Sequence, residues 1–147
     1  MTETSATNPI AVALSGGVDS AVTARLLLDA GQAVKGITFR AGNGAPAPDA
    51  AAAMAARLGI PHQTVDLADL FSREVIAPFI AGYAHGETPS PCALCNPRIK
   101  FGALLTAARA LGCERLATGH YVQAWNDADG RCRLRRGIDP EKDQSYF

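Results

Sequence analysis

The chain has 147 residues, 48% of them hydrophobic, and its 14 basic and 14 acidic side chains leave no net charge. That length suits one domain, or one domain with an appendage, and the apolar content excludes a disordered chain. No apolar run approaches the roughly 20 residues needed to span a bilayer, so a membrane partner is not expected.

The polar start "MTETSATNP" lacks the basic and apolar segments of a signal peptide, so residues 1–9 are expected to form a flexible tail and the protein to be cytoplasmic. "PIAVALS" reads as a buried strand ending near Leu14, and "DSAVTARLLLDA" (19–30) as a helix stopped by Gly31. "AVKGITF" (33–39) is a second strand. "RAGNGAPAP" is a flexible stretch leading to Asp49, an N-cap for a helix that Gly59 ends. "PHQTVDL" (61–67) is a third strand, and residues 69–84 are helical in pattern, bent or divided at Pro78. The proline-rich "GETPSPCALCNPR" reads as a loop before the apolar helix "IKFGALLTAARALG" (99–112). "RLATGHYV" (115–122) is a fourth strand, and "RCRLRR" is one arm of a hairpin turning at "NDADG". Its alternation places Arg131, Arg133 and Arg135 on one face, suited either to RNA phosphates or to a solvated edge.

Alternating strands and helices predict an α/β fold: an open parallel sheet with helices on both faces, spanning residues 10–122, with the hairpin in 123–147. Ligands of such sheets bind beyond the carboxyl ends of the strands, where strand order reverses. Two motifs fall there, "LSGGVDS" (14–20) and "TGHY" (118–121).

"SGGVDS" admits two readings. One is a tight strand-to-helix turn capped by Ser15 or Asp19. The other is a phosphate cradle, in which Gly16 and Gly17 free backbone amides at a helix N-terminus, Ser15 and Ser20 add hydroxyl donors, and Asp19 ligates Mg²⁺. No lysine follows to hold outer phosphates, and the pattern is neither G-x-G-x-x-G nor G-x-x-x-x-G-K-[ST].

"SGGVDS" after a first strand resembles the loop of the pyrophosphate-loop (PP-loop) ATPases. "LGIPH" (58–62), "TPSPCALCNPRIKFG" (88–102), "ATGHY" (117–121) and "RGIDPEKDQSYF" (136–147) extend the likeness to the tRNA-specific 2-thiouridylases (MnmA-type), from residue 10 to the last residue. The resemblance implies a Rossmann-like, adenine nucleotide alpha hydrolase-like fold. It implies adenylation by ATP of the wobble uridine of tRNA at its C2 oxygen, followed by replacement of that oxygen with sulfur. ATP would be met by Ala13, Leu14, Ser15, Gly16, Gly17, Val18, Asp19, Ser20, Phe39 and Gly119. The target base would meet Ser90, Pro91 and Cys92, and tRNA would also meet Lys142, Asp143 and Gln144. Cys95 matches the catalytic cysteine.

Placed just before a helix and near Arg98 and Lys100, that thiol is expected to be acidified. Expected partners are tRNA and a persulfide sulfur-donor protein, not DNA. Cys92 and Cys95 also suit a metal or an iron–sulfur cluster completed by a third cysteine. The likeness further implies a downstream central domain and β-barrel carrying a second cysteine. An excised or truncated catalytic domain, a reduced relative with another sulfur route, or a non-catalytic ATP- or tRNA-binding remnant are the forms this chain is expected to take.

Overall fold

Ile10–Ala13 (β1), Val34–Arg40 (β2), His62–Asp66 (β3) and Arg115–Ala117 (β4) form one parallel sheet, ordered β3-β2-β1-β4. The computed structural model describes residues 8–42 and 48–146. The predicted tail therefore lies outside the described residues except for its last two, and most of the predicted flexible stretch before the second helix lies outside them too. Parallel neighbours need long crossovers, and Val18–Asp29 (α1) and Pro48–Leu58 (α2) supply two of them.

Alternation along β1 divides the core in two. Val12 and Leu14 face α1 and α2, packing on Ala24, Ala51 and Ala55. Ala11 faces the other way with Ile37, against Leu104, Ala108 and Cys113 of a later helix and its end. Helices thus cover both faces, as the sequence predicts. Cys113 is fully buried at the end of that helix.

Helix boundaries differ from expectation in an instructive way. Residues 68–84 are helical throughout, as Ala68–Phe71 (α3), a π-helical segment Ser72–Ile76, and Ala77–Ala84 (α4). Pro78 has no N–H and would crowd the carbonyl four residues back, and the wide turn before it gives that carbonyl room. The second proline-rich stretch is not a loop beyond Ser90. Pro91–Cys95 (α5) runs directly into a π segment, Asn96–Leu104, and then Leu105–Ala110 (α6). Pro91 sits where a helix has no N–H to lose. Pro97 is tolerated because the turn is wide, and a Cβ on Gly102 would lie 2.8 Å from the Pro97 carbonyl oxygen. An Arg98–Glu74 ion pair at 2.7 Å joins the two broken helices.

The fourth strand also stops short of its predicted span, at Ala117. Val122–Asn126 (β5) instead pairs antiparallel with Cys132–Arg136 (β6). Asp127 closes this hairpin by accepting from the backbone N–H groups of Asp129 at 3.0 Å and Arg131 at 2.9 Å. The register puts Trp125 and Arg133, and Gln123 and Arg135, side by side on one face. Arg131 precedes the ladder. Arg133 is paired with Asp127, and Arg135 donates to Gln123 and lies 5.4 Å over the Trp125 ring.

His62 ties β2 to β3. The Thr38 hydroxyl donates to the Leu14 carbonyl at 2.7 Å, so His62 Nε2, 2.9 Å away, donates to Thr38. Burial holds the His62 imidazole below its ordinary value of 6.5, and burial with the Lys100 charge does the same to His120. The unfolded chain then binds more protons than the folded one, so stability falls as pH drops through and below 6.5. We expect the thermal midpoint to decrease between pH 7.5 and 5.5 and the His62→Gln variant to show a shallower slope. A flat wild-type profile would contradict the burial argument.

Candidate active site

The carboxyl ends of β1, β2 and β4 open onto a cavity of about 350 Å³. It lies where the strand order reverses about β1. Ala13, Leu14, Ser15, Asp19 and Ser20 line it from the first loop, Thr38 and Phe39 from β2, and Thr118, Gly119 and His120 from beyond β4. Lys100, Leu104 and Gln144 complete the polar and apolar walls. Gly16 and Gly17 of the loop and Val18 at the start of α1 stand beside the cavity rather than on its wall.

The loop is braced from within. Ser20 is 5% exposed; its hydroxyl donates to the Gly17 carbonyl at 3.1 Å and accepts from the Ser15 N–H at 3.2 Å. Ser15 Oγ accepts from the Gly17 N–H and lies 3.3 Å from Ser20 Oγ. The Ser20 hydroxyl proton is thus used inside the loop, and Ser15 Oγ accepts there as well. Neither Ser15 nor Asp19 caps the helix. Gly17 occupies the N-cap position and has no side chain with which to cap the first-turn amides. The helix supplies no carbonyl to the Val18 and Asp19 N–H groups at its first turn, so they remain available to an anion. Gly16 has φ +82°, and a Cβ on it would lie 2.7 Å from the Ala50 Cβ.

Gly119 is needed for a reason the sequence did not reveal. A Cβ there would lie 2.9 Å from both the Asp19 carbonyl carbon and the Ser20 nitrogen. The end of β4 thus packs directly on the first turn of α1, and Tyr121 reinforces the join by donating its hydroxyl to Asp19 Oδ1 at 2.8 Å.

Cys95 requires a second correction. It is not ahead of a helix but within one continuous helix that begins at Pro91, so it receives little of the N-terminal dipole. Arg98 points to Glu74 instead. Burial pushes the thiol up from its ordinary value of 9.0; Lys100 opposes that, and Cys92 adds to it. Cys92 is exposed on the same short helix, with Ser90 and Pro91 at its start.

The segment after the hairpin folds back onto the site. Gln144 and Tyr121 exchange two hydrogen bonds, Gln144 N–H to the Tyr121 carbonyl at 2.9 Å and Tyr121 N–H to Gln144 Oε1 at 3.1 Å. Asp143 accepts from the N–H groups of Gly137 and Ser145 and from the Ser145 hydroxyl. Lys142 is exposed.

The profile of the family described as "tRNA methyl transferase HUP domain" matches residues 8–147. The chain belongs to that family. Relatives include the tRNA-specific 2-thiouridylase MnmA of Nitratidesulfovibrio vulgaris, 54% identical over 147 residues, and that of Thermus thermophilus, 44% identical over 157. Each alignment covers 94% of this chain but only 42% and 41% of those relatives, so the chain spans less than half their length. The fold is shared with the "predicted subunit of tRNA methyltransferase" from Methanocaldococcus jannaschii, at TM-score 0.52 and 23% identity, covering 85% of this chain and 57% of that one.

Within this HUP domain the first loop, Phe39 and Gly119 converge on one cavity, whereas Ser90, Pro91, Cys92 and Cys95 lie on a neighbouring helix. Among the described residues no three His, Cys, Asp or Glu side chains gather as a metal site. Cys113 is in the core and Cys132 on the hairpin, so neither joins Cys92 and Cys95 as the third ligand of a cluster. No helix among the described residues is long and apolar enough to cross a membrane. Thr118 and His120 line the cavity as part of the "TGHY" motif that the sequence placed at a strand end, whereas Lys100 was expected only beside Cys95 and not in the cavity. Its distance in sequence from the first loop concealed that second position.

Proposed function

We propose that this domain binds ATP and adenylates a tRNA uridine on the way to 2-thiouridine. The observation that carries the reading is the pair of first-turn amides, Val18 and Asp19, beside a cavity at the carboxyl ends of three parallel strands. Backbone N–H groups at a helix N-terminus favour a phosphate without a nearby lysine. Ala13 to Ser20 would meet the polyphosphate, while Phe39 and Gly119 would border the nucleoside. Asp19 is the carboxylate suited to Mg²⁺: Oδ1 accepts from Tyr121, and Oδ2 has no partner among the described residues. Bound Mg²⁺ would neutralise phosphate charge.

Ser90, Pro91 and Cys92, on the exposed start of α5, would meet the target base, and Lys142, Asp143 and Gln144 would contribute to the tRNA contact. Cys95 would carry the sulfur chemistry, with sulfur delivered by a persulfide-bearing protein partner. Support for this substrate comes from the names of the relatives and the match of this chain's motifs to them. Burial of the Cys95 thiol favours a second reading, a nucleotide-binding module without thiol chemistry of its own.

ATP with Mg²⁺ at about 100 times its dissociation constant is expected to stabilise the fold by roughly 2.7 kcal/mol, raising the melting temperature by roughly 5–10 °C. No shift, together with no heat of binding in calorimetry, would sink the nucleotide reading. Pyrophosphate release that depends on added tRNA would decide for the enzyme over the binding module.

A further inference from the structure

The first loop contains no cation, yet a charge of the right sign reaches its cavity from elsewhere. Lys100, in the π segment after α5, is the one lysine or arginine among the described residues that line it. Its Nζ lies 3.2 Å from His120 Nε2, and His120 Nδ1 lies 2.7 Å from Thr118 Oγ1. An ammonium can only donate, so Nε2 accepts. A neutral imidazole then carries its proton on Nδ1 and donates it to Thr118. This chain fixes the ammonium at the cavity wall without neutralising it.

The same residue lies about one wide helical turn beyond the thiol. Cys95 and Lys100 are five positions apart, which on an α-helix of 3.6 residues per turn sets them about 140° from each other. The wider π turn between them brings their faces closer. The Lys100 charge accordingly acts on Cys95, against the effect of burial.

We propose that Lys100 is a shared cation of the site, touching the α-phosphate of bound ATP on one side and facing Cys95 on the other. The inference rests on the nucleotide reading above. In the adenylation step the bond from the uridine C2 oxygen to the α-phosphorus forms as the bond from that phosphorus to the bridging oxygen breaks. Pyrophosphate leaves with the electron pair, and the uridine N3 proton passes to solvent. Lys100 keeps its three protons throughout and offsets the charge that builds on the α-phosphoryl oxygens. Once pyrophosphate has left, the same charge favours the thiolate of Cys95 for the sulfur step, in which sulfur bonds to C2 and AMP leaves with the C2 oxygen.

The test uses the full chain and two readouts that do not need turnover. ATP–Mg²⁺ affinity is measured by calorimetry, and Cys95 alkylation by iodoacetamide at pH 7.5 is followed by peptide mass spectrometry. In K100M we expect ATP affinity to fall about tenfold, the scale of one charge-assisted hydrogen bond. Alkylation of Cys95 should slow by about three- to tenfold as the thiolate loses its cation. K100R should recover much of both. R98M removes a charge from the same helix that is paired with Glu74, and should leave both within twofold of wild type.

If K100M does not fold, as judged by circular dichroism, K100Q carries the same expectations. Loss of neither property, or of only one, overturns the shared-cation proposal while wild-type ATP binding leaves the nucleotide reading standing. A wild-type chain that binds no ATP overturns both.

Discussion

Gly16→Ala is expected to lower the melting temperature by roughly 10 °C, corresponding to about 3 kcal/mol for a domain of this size. Two costs combine. The left-handed backbone at φ +82° penalises any Cβ, by about 1–2 kcal/mol. The new methyl would also lie 2.7 Å from the Ala50 Cβ and 3.0 Å from the Ala50 carbonyl carbon, and α2 cannot yield there without loosening its packing on the sheet. Overpacking of that kind adds about 1–3 kcal/mol. Gly17→Ala is the control. Its backbone is extended, and the nearest obstacle is the Ser15 hydroxyl at 3.3 Å, which can move. A thermal melt by circular dichroism separates the two variants. Equal midpoints for Gly16→Ala and wild type would show that the loop is not held against α2. The ATP-induced shift should also be lost in Gly16→Ala, because the loop and the first turn of α1 move together.

Leu104→Ala is expected to cost about 3 kcal/mol, within the range of about 2–5 measured for buried leucines. The side chain has no solvent exposure and packs with Ala11, Ile37, Ala108 and Cys113, so its neighbours on the sheet are already small or fixed. Collapse into the space is therefore limited. Leu104 also forms part of the cavity wall, so its loss should weaken nucleotide binding as well as stability. Leu104→Met keeps most of the volume and should cost less than about 1.5 kcal/mol. Denaturant unfolding gives the stabilities. If alanine costs no more than methionine, the wall of the cavity is not a packed part of the core.

Gly16 stands in a motif visible along the chain, whereas the place of Leu104 in the cavity wall depends on packing. The order of strands and helices was legible because each element carries its own period of apolar residues and its own stop, as with Gly31 after α1 and Gly59 after α2. The first loop was legible as a candidate anion site, beside the reading as a tight turn, because two glycines before a helix free backbone amides at its start. The prolines misled. Pro91 and Pro97 read as breakers, but the first stands where a helix has no N–H to lose and the second inside a turn wide enough to hold it. Cys95 thereby moves from a helix start to a helix interior, and the expectation of an acidic thiol goes with it.

What the chain alone determined is local: which segments are strands or helices, and that the residues from Leu14 to Ser20 could present amides at a helix start. Near neighbours set those features through backbone angles, periodicity and missing side chains. Tertiary structure decided what stands around the amides. The order β3-β2-β1-β4 puts the end of β4 beside β1, so Gly119 meets Asp19 and His120 reaches Lys100 across a long stretch of sequence. Packing of the broken helix on the sheet then delivers an ammonium that no loop motif contains. Such meetings depend on which edge of the sheet a strand joins, and burial of whole faces, rather than any one motif, selects that edge.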